Sequence, residues 1–135
     1  MIAQLQQYLT EATAFAHTLV EKEEASRPNL RGACAIASAW LFRRLKQEGL
    51  DAEVVLSHAH CYVRVNGLLM DPTATQFDME PFVSEGLPES CVCPWEYEEY
   101  ATARDLDELM RVMDNSGWSW DADRIYLYVL KGEAA

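Results

Sequence analysis

Two segments near the start of the chain have the spacing of amphipathic helices. Apolar residues recur at three- and four-residue steps over residues 2–22, and a second pattern of this kind covers residues 34–45. Gly49 follows the second pattern as a typical left-handed helix terminator. Residues 24–32 contain Pro, Asn and Gly, so we expect a loop there between two helices.

Alternating apolar and polar residues in the middle of the chain predict three antiparallel strands. The strands cover residues 52–57, 60–65 and 68–71. Asn66-Gly67 separates the last two strands, and Asn-Gly between alternating runs is the strongest short-range signal for a β-hairpin.

The remainder of the chain is less regular. Residues 72–93 carry three prolines and a glycine, which predicts a long connection. The pattern predicts a helix over residues 105–113 and a last strand over residues 124–131. N-terminal helices packed on an antiparallel sheet make an α+β fold. A length of 135 residues fits one core, so we expect a single domain over residues 1–135.

Charge and hydropathy narrow the classes of partner. Twenty-two acidic and eleven basic side chains give a formal net charge of -11, so we expect no binding of nucleic acid or anionic membrane, which need clustered positive charge. No apolar run approaches the ~18–20 residues of a membrane span, and the start of the chain lacks the features of a signal peptide. We therefore expect a cytoplasmic protein. The sequence leaves open its delivery as an effector and its oligomeric state.

One cysteine stands at a position that favours reactivity. The four cysteines, Cys34, Cys61, Cys91 and Cys93, are too few and too irregular for a disulfide framework. Cys34 lies in the first turn of the second predicted helix, where unpaired backbone N–H groups and the helix dipole favour a thiolate. A buried structural thiol is the alternative, because free cysteine is among the most buried residue types.

Pairing in the hairpin brings a histidine and an aspartate together. A two-residue turn pairs Tyr62 with Asp71, so both side chains project from one face of the sheet. His60 precedes Tyr62 by two residues, shares that face and lies diagonal to Asp71, at ~7–8 Å between backbones, within reach of a hydrogen bond. His58 is a second candidate base on the same face, which a two-residue slip in register would bring into use.

These residues predict a Cys–His–Asp triad. His60 would accept the proton of Cys34 and later pass it to the leaving group, while Asp71 fixes the tautomer of the imidazole. The backbone N–H of Cys34 is a candidate oxyanion donor. Asn29 is the only side-chain amide in the preceding loop that is available as a second donor.

A zinc site is the competing interpretation. Imidazole and thiolate ligands are supplied by His58, His60, Cys61, Cys91 and Cys93. Cys-x-Cys, however, is a tighter spacing than zinc-binding cysteine pairs normally have, so we expect no metal.

Three segments carry a resemblance to a known family. They are Gly32-Ala33-Cys34, His60-Cys61-Tyr62-Val63-Arg64-Val65-Asn66-Gly67 and Asp71-Pro72-Thr73. Together they resemble the core of the transglutaminase-like superfamily of papain-like cysteine enzymes, which places its cysteine at a helix start, its histidine at the head of a strand and its aspartate on the next strand. The match covers residues 31–77 and includes Gln76-Phe77, which is similar to bacterial members of unassigned substrate.

The resemblance implies a papain-like fold with the same triad. Tyr62 and Gln76 lie within the matching segments and, with Asn29, are candidates for oxyanion or substrate contacts. Tyr62 stands where many members have Trp, and Cys61 replaces a commoner small residue without an evident consequence.

The implied activity is cysteine-dependent acyl chemistry on an amide of a peptide or protein. Such an enzyme is a protease, an amidase or a glutamine deamidase, and it needs no cofactor. Amine transfer by a true transglutaminase is less favoured, because few residues remain to build an acyl-acceptor channel. The alternative from another class is a catalytically silent protein-binding module on the same fold, with an acidic and aromatic C-terminal region holding a basic partner.

Overall fold

The architecture is α+β, as the sequence pattern predicts. The computed structural model describes residues 2–22 and 33–130, so the predicted loop at 24–32, with Asn29, lies outside the described residues. In the described part the helices are α1 (Ile2–Lys22), α2 (Cys34–Gln47), α3 (Leu106–Asn115) and α4 (Ser119–Ile125). The strands are β1 (Ala52–Leu56), β2 (Cys61–Val65), β3 (Leu68–Asp71), β4 (Phe82–Ser84) and β5 (Ala101–Ala103).

The five strands form one antiparallel sheet in the order β4-β3-β2-β1-β5. The predicted hairpin register is confirmed, with Val65 opposite Leu68 and Val63 opposite Met70. The turn between these strands has φ 50° at Asn66 and φ 78° at Gly67. Two consecutive positive φ values are typical of the type I′ turn, whose twist matches that of the flanking strands.

Alanine at Gly67 is expected to lower the free energy of unfolding by about 1 kcal/mol, because a side chain at positive φ is strained. Gly86→Ala is the matched control, since its φ is not in the positive region and an added Cβ would likewise meet nothing within 4 Å. The control should be neutral or slightly stabilising. Urea denaturation measures both, and equal stability of the two variants would contradict the role of the turn.

The two faces of the sheet are covered differently. All four helices pack on one face, where their buried side chains include Leu5, Phe42, Leu109 and Ile125. Strand β2 sends Cys61, Val63 and Val65 into this helical core. A smaller core of Val55, Tyr62, Ala74, Met79, Phe82 and Tyr97 covers the opposite face. The candidate site lies where these two cores meet, at the end of the sheet that carries His60.

The prediction of a last strand over residues 124–131 is wrong for the part that the structure describes. Helix α4 continues there into a π-helical turn, Tyr126–Leu130. Ile125 and Val129 are buried, whereas Leu127 between them is 48% exposed. Burial at a four-residue step is typical of a helix, and a strand would have buried every second residue.

The connection predicted over residues 72–93 contains more structure than expected. It includes the three-residue strand β4 and a short 3₁₀ helix, Ala74–Phe77, and a second 3₁₀ helix, Pro94–Tyr97, follows it. Elements this short leave little periodicity in a sequence.

No helix within residues 2–22 or 33–130 is long and apolar enough to cross a bilayer.

Candidate active site

The histidine and aspartate of the hairpin form a buried pair. His60 directly precedes β2, Asp71 ends β3, and His60 Nε2 lies 2.8 Å from Asp71 Oδ2. Both side chains are completely buried. The predicted contact between these two residues is therefore confirmed.

The turn after β3 holds the other carboxylate oxygen. The backbone N–H of Thr73 donates to Asp71 Oδ1 at 3.0 Å, and the Thr73 hydroxyl lies 3.4 Å from the same oxygen. Asp often accepts such a bond two residues along the chain. The Asp-Pro-Thr segment thus orients Asp71 from its own backbone.

Cys34 meets this pair from the helical side of the sheet. It is the first residue of α2, and its buried thiol lies close enough to His60 and Cys61 for both side chains to lower its pKa. Since Nε2 of His60 faces Asp71, Nδ1 is the ring nitrogen left for the sulfur. The structure therefore brings the three predicted residues together.

Electrostatics favour an ion pair between the thiol and the imidazole. A hydrogen bond from Cys61 lowers the pKa of Cys34, burial opposes this, and the hydrogen bond and charge of His60 lower it further, with the net result well below its ordinary value. Burial alone would lower the pKa of His60, but the charge and hydrogen bond of Asp71 raise it to about 10, with a smaller contribution from Cys34. A thiolate beside an imidazolium is the reactive form of a cysteine nucleophile.

Cys61 belongs to the site, although the sequence pattern assigned it no role. Ser38 lies one helical turn after Cys34 and donates its hydroxyl to the Cys61 carbonyl at 3.1 Å, which aligns Cys61 with the start of α2. Burial raises the pKa of the Cys61 thiol, so it remains protonated and can donate to Cys34. The alternation of side chains along β2 is the sequence signal that could have identified Cys61, because it directs this residue towards the helices.

Removal of the Cys61 thiol is expected to raise the pKa of Cys34. In Cys61→Ala, alkylation of Cys34 by iodoacetamide at pH ~6 should slow by about threefold to tenfold, because a hydrogen bond to a charged group is lost. Cys93→Ala is the matched control, since Cys93 is a buried thiol that contacts Cys91. Peptide mass spectrometry follows Cys34 separately, and unchanged alkylation in Cys61→Ala would show that this thiol does not stabilise the thiolate.

The candidate Tyr62 supports the pair from the second core. Its side chain is buried, and its hydroxyl donates to the Tyr97 carbonyl at 2.7 Å. The hydroxyl of Tyr97 in turn donates to Asp71 Oδ2 at 2.6 Å. Tyr97 thus contacts the triad, and only its place in an aromatic-rich segment drew attention to it in the sequence.

Gln76 lies beside the ring nitrogen that faces the sulfur. Its side-chain nitrogen is 3.3 Å from His60 Nδ1 and donates to the carbonyl and hydroxyl oxygens of Thr73, each at 3.1 Å. Its half-buried amide therefore lies between the imidazole and the turn at Thr73. The alternative base His58 is exposed and packs on Tyr100, with ring centroids 4.7 Å apart.

A second carboxylate lies near the thiol. Burial and the charge of Cys34 raise the pKa of Asp121 to about 6, and the charge of Arg124, 3.7 Å away, opposes the shift. Asp121 comes from the start of α4, a helix that the sequence pattern did not predict. In the described part of the chain, no group of three or more His, Cys, Asp or Glu side chains is arranged to hold a metal ion.

Comparison of the chain with protein-family models, curated proteins and solved structures gave no match.

Proposed function

We propose that this protein is a transglutaminase-like cysteine hydrolase with a papain-like core, which acts on an amide of a peptide or protein. The observation that carries the proposal is the buried pair of His60 and Asp71, 2.8 Å apart, in contact with a cysteine at a helix start. A buried imidazole with one nitrogen on a carboxylate and the other facing a thiol is the arrangement that nucleophilic catalysis requires.

The reaction uses these three side chains in turn. The Cys34 thiolate attacks the carbonyl carbon of the amide and forms a tetrahedral oxyanion. When the C–N bond breaks, the nitrogen leaves with a proton from the His60 imidazolium, and a thioester remains on Cys34. His60 then takes a proton from water, whose oxygen attacks the thioester, so that a carboxylic acid product and the thiolate are released.

The oxyanion needs hydrogen-bond donors near the sulfur. Cys34 heads α2, where the first N–H groups of a helix have no intrahelical acceptor, so its own backbone N–H is one candidate. Gln76 also lies beside His60 Nδ1, but both of its amide hydrogens are directed at Thr73, so it becomes a second donor only by giving up one of those bonds.

The burial of the site favours a slender substrate group. Cys34 is only 5% exposed and His60 is completely buried. A glutamine side chain can reach such a sulfur with its terminal carboxamide, whereas a main-chain amide brings two flanking residues with it. Deamidation of glutamine is therefore the favoured reaction within this class, with ammonia as the leaving group.

Release of ammonia from glutamine-containing peptides tests the proposal. The wild-type protein is expected to release ammonia and to increase the peptide mass by the change from amide to acid. Cys34→Ala should show only background release, while Cys93→Ala, which lacks a thiol elsewhere, should keep the activity. Equal release by the wild-type protein and Cys34→Ala would refute cysteine-dependent chemistry.

A second candidate function is a catalytically silent protein-binding module. It is favoured by three exposed apolar side chains within nine residues, namely Val92, Trp95 and Tyr100, in a segment that also carries Glu96, Glu98 and Glu99. Iodoacetamide distinguishes the two functions. Preferential alkylation of Cys34 at pH ~6 supports the enzyme, and equally slow alkylation of all four cysteines supports the binding module.

A further inference from the structure

Tyr97 reaches the triad from outside the hairpin that carries His60 and Asp71. It ends the 3₁₀ helix Pro94–Tyr97 and is separated from Asp71 by 26 positions in the chain. Its hydroxyl donates to Asp71 Oδ2 at 2.6 Å, and His60 Nε2 lies 2.8 Å from that same oxygen. Asp71 Oδ2 therefore contacts both the imidazole of His60 and the phenol of Tyr97.

The two oxygens of the Asp71 carboxylate have different partners. Oδ1 accepts from Thr73, whereas among the described residues Oδ2 is bonded to His60 and Tyr97 alone. A buried carboxylate needs hydrogen bonds in place of the water it has lost. Loss of the phenol would leave Oδ2 with the imidazole alone, while Oδ1 keeps its bonds to Thr73.

Both the backbone and the ring of Tyr97 are held in place. Tyr62 donates to its backbone carbonyl at 2.7 Å, and its ring packs edge-on against the ring of His60, with centroids 5.1 Å apart and an angle of 76° between the planes. Phe77 packs edge-on against His60 in a similar way, at 4.8 Å. Burial and the charge of Asp71 raise the pKa of Tyr97, so its hydroxyl stays a donor.

We propose that Tyr97 is a positioning residue of the site, which holds the Asp71 carboxylate oriented so that Asp71 in turn holds the His60 imidazolium beside Cys34. This inference rests on the proposed function and deepens it. Tyr97 contacts neither the sulfur nor the substrate, and it acts only through the carboxylate. A tyrosine that merely filled the core would need no bond to the oxygen that the imidazole uses.

The test compares Tyr97→Phe with Tyr8→Phe. Each variant loses one tyrosine hydroxyl and keeps a buried ring, but Tyr8 lies in α1 under the guanidinium of Arg44, and only Tyr97→Phe removes a donor from Asp71. The first measurement is the rate of Cys34 alkylation by iodoacetamide against pH, which needs no substrate. In Tyr97→Phe we expect the midpoint of this profile to rise by about half to one pH unit, and the rate at pH ~6 to fall about threefold to tenfold. Tyr8→Phe should keep the wild-type midpoint.

The second measurement is turnover of a glutamine-containing peptide, for which Tyr97→Phe should lower kcat about tenfold at unchanged KM. If both variants lose thermal stability but keep the wild-type alkylation profile, Tyr97 is only structural and the inference is overturned. If the profile shifts in Tyr97→Phe while the wild-type protein turns over no peptide, the positioning role is supported and the proposed function fails.

Discussion

Asp71→Asn is expected to slow the alkylation of Cys34 at pH ~6 by about tenfold to a hundredfold. Asparagine keeps the shape of the side chain but removes the charge that raises the pKa of His60 to about 10. Burial then dominates at His60 and favours the neutral imidazole. Without the imidazolium, the thiolate of Cys34 loses its positive partner and the thiol form prevails.

The control for this variant is Glu53→Gln, which also removes a carboxylate from the sheet. Glu53 lies on β1 and pairs with Arg64, outside the triad. Alkylation of Cys34 should proceed at the wild-type rate in the control. A normal rate in Asp71→Asn would show that the carboxylate does not set the ionisation of the pair.

The Cys34–His60 ion pair is expected to change how stability depends on pH. The pKa of His60 is raised from 6.5 to about 10, so its contribution is complete below pH 6.5 and is lost as the pH rises towards 10. The pKa of Cys34 is lowered from 9.0, so its contribution grows with pH up to about 9. Between pH 6.5 and 9 the two contributions to the slope of the unfolding free energy against pH cancel. The folded and unfolded states bind equal numbers of protons at this pair in that range.

Cys34→Ala removes the pH dependence of stability that comes from the thiol and leaves the dependence that comes from His60. The variant should lose stability relative to the wild-type protein by up to about 1.4 kcal/mol per pH unit, which amounts to roughly 3 kcal/mol over this range. Denaturant unfolding at several pH values measures the difference, and Cys93→Ala should run parallel to the wild-type protein. A constant difference between the wild-type protein and Cys34→Ala would mean that the pair is neutral in the folded state.

Local rules predicted the hairpin and the contact between His60 and Asp71. Asn66-Gly67 determines the turn, the turn determines the register, and the register determines the face on which each side chain lies. The position of Cys34 at the start of α2 also follows from local pattern, because a helix begins there. These parts of the site needed no information from distant residues.

The contacts that local rules missed all come from packing between distant elements. Cys61 reaches Cys34 only because α2 lies across β2, and Tyr97 reaches Asp71 only because a 3₁₀ helix folds onto the second core. Asp121 lies on a helix whose continuation the sequence pattern predicts to be a strand, since Ile125 to Leu130 is rich in strand-forming residues. Tertiary contacts overrode that local preference.

The short separation of His60 and Asp71 along the chain affects the order in which the site forms during folding. They are separated by 11 positions and joined by one tight turn, and isolated hairpins form in ~1–10 μs. The thiol becomes activated only when α2 docks on the sheet, which is a slower, long-range step. A newly made chain therefore brings His60 and Asp71 together before Cys34 reaches them, and the pKa of the thiol keeps its ordinary value until α2 docks.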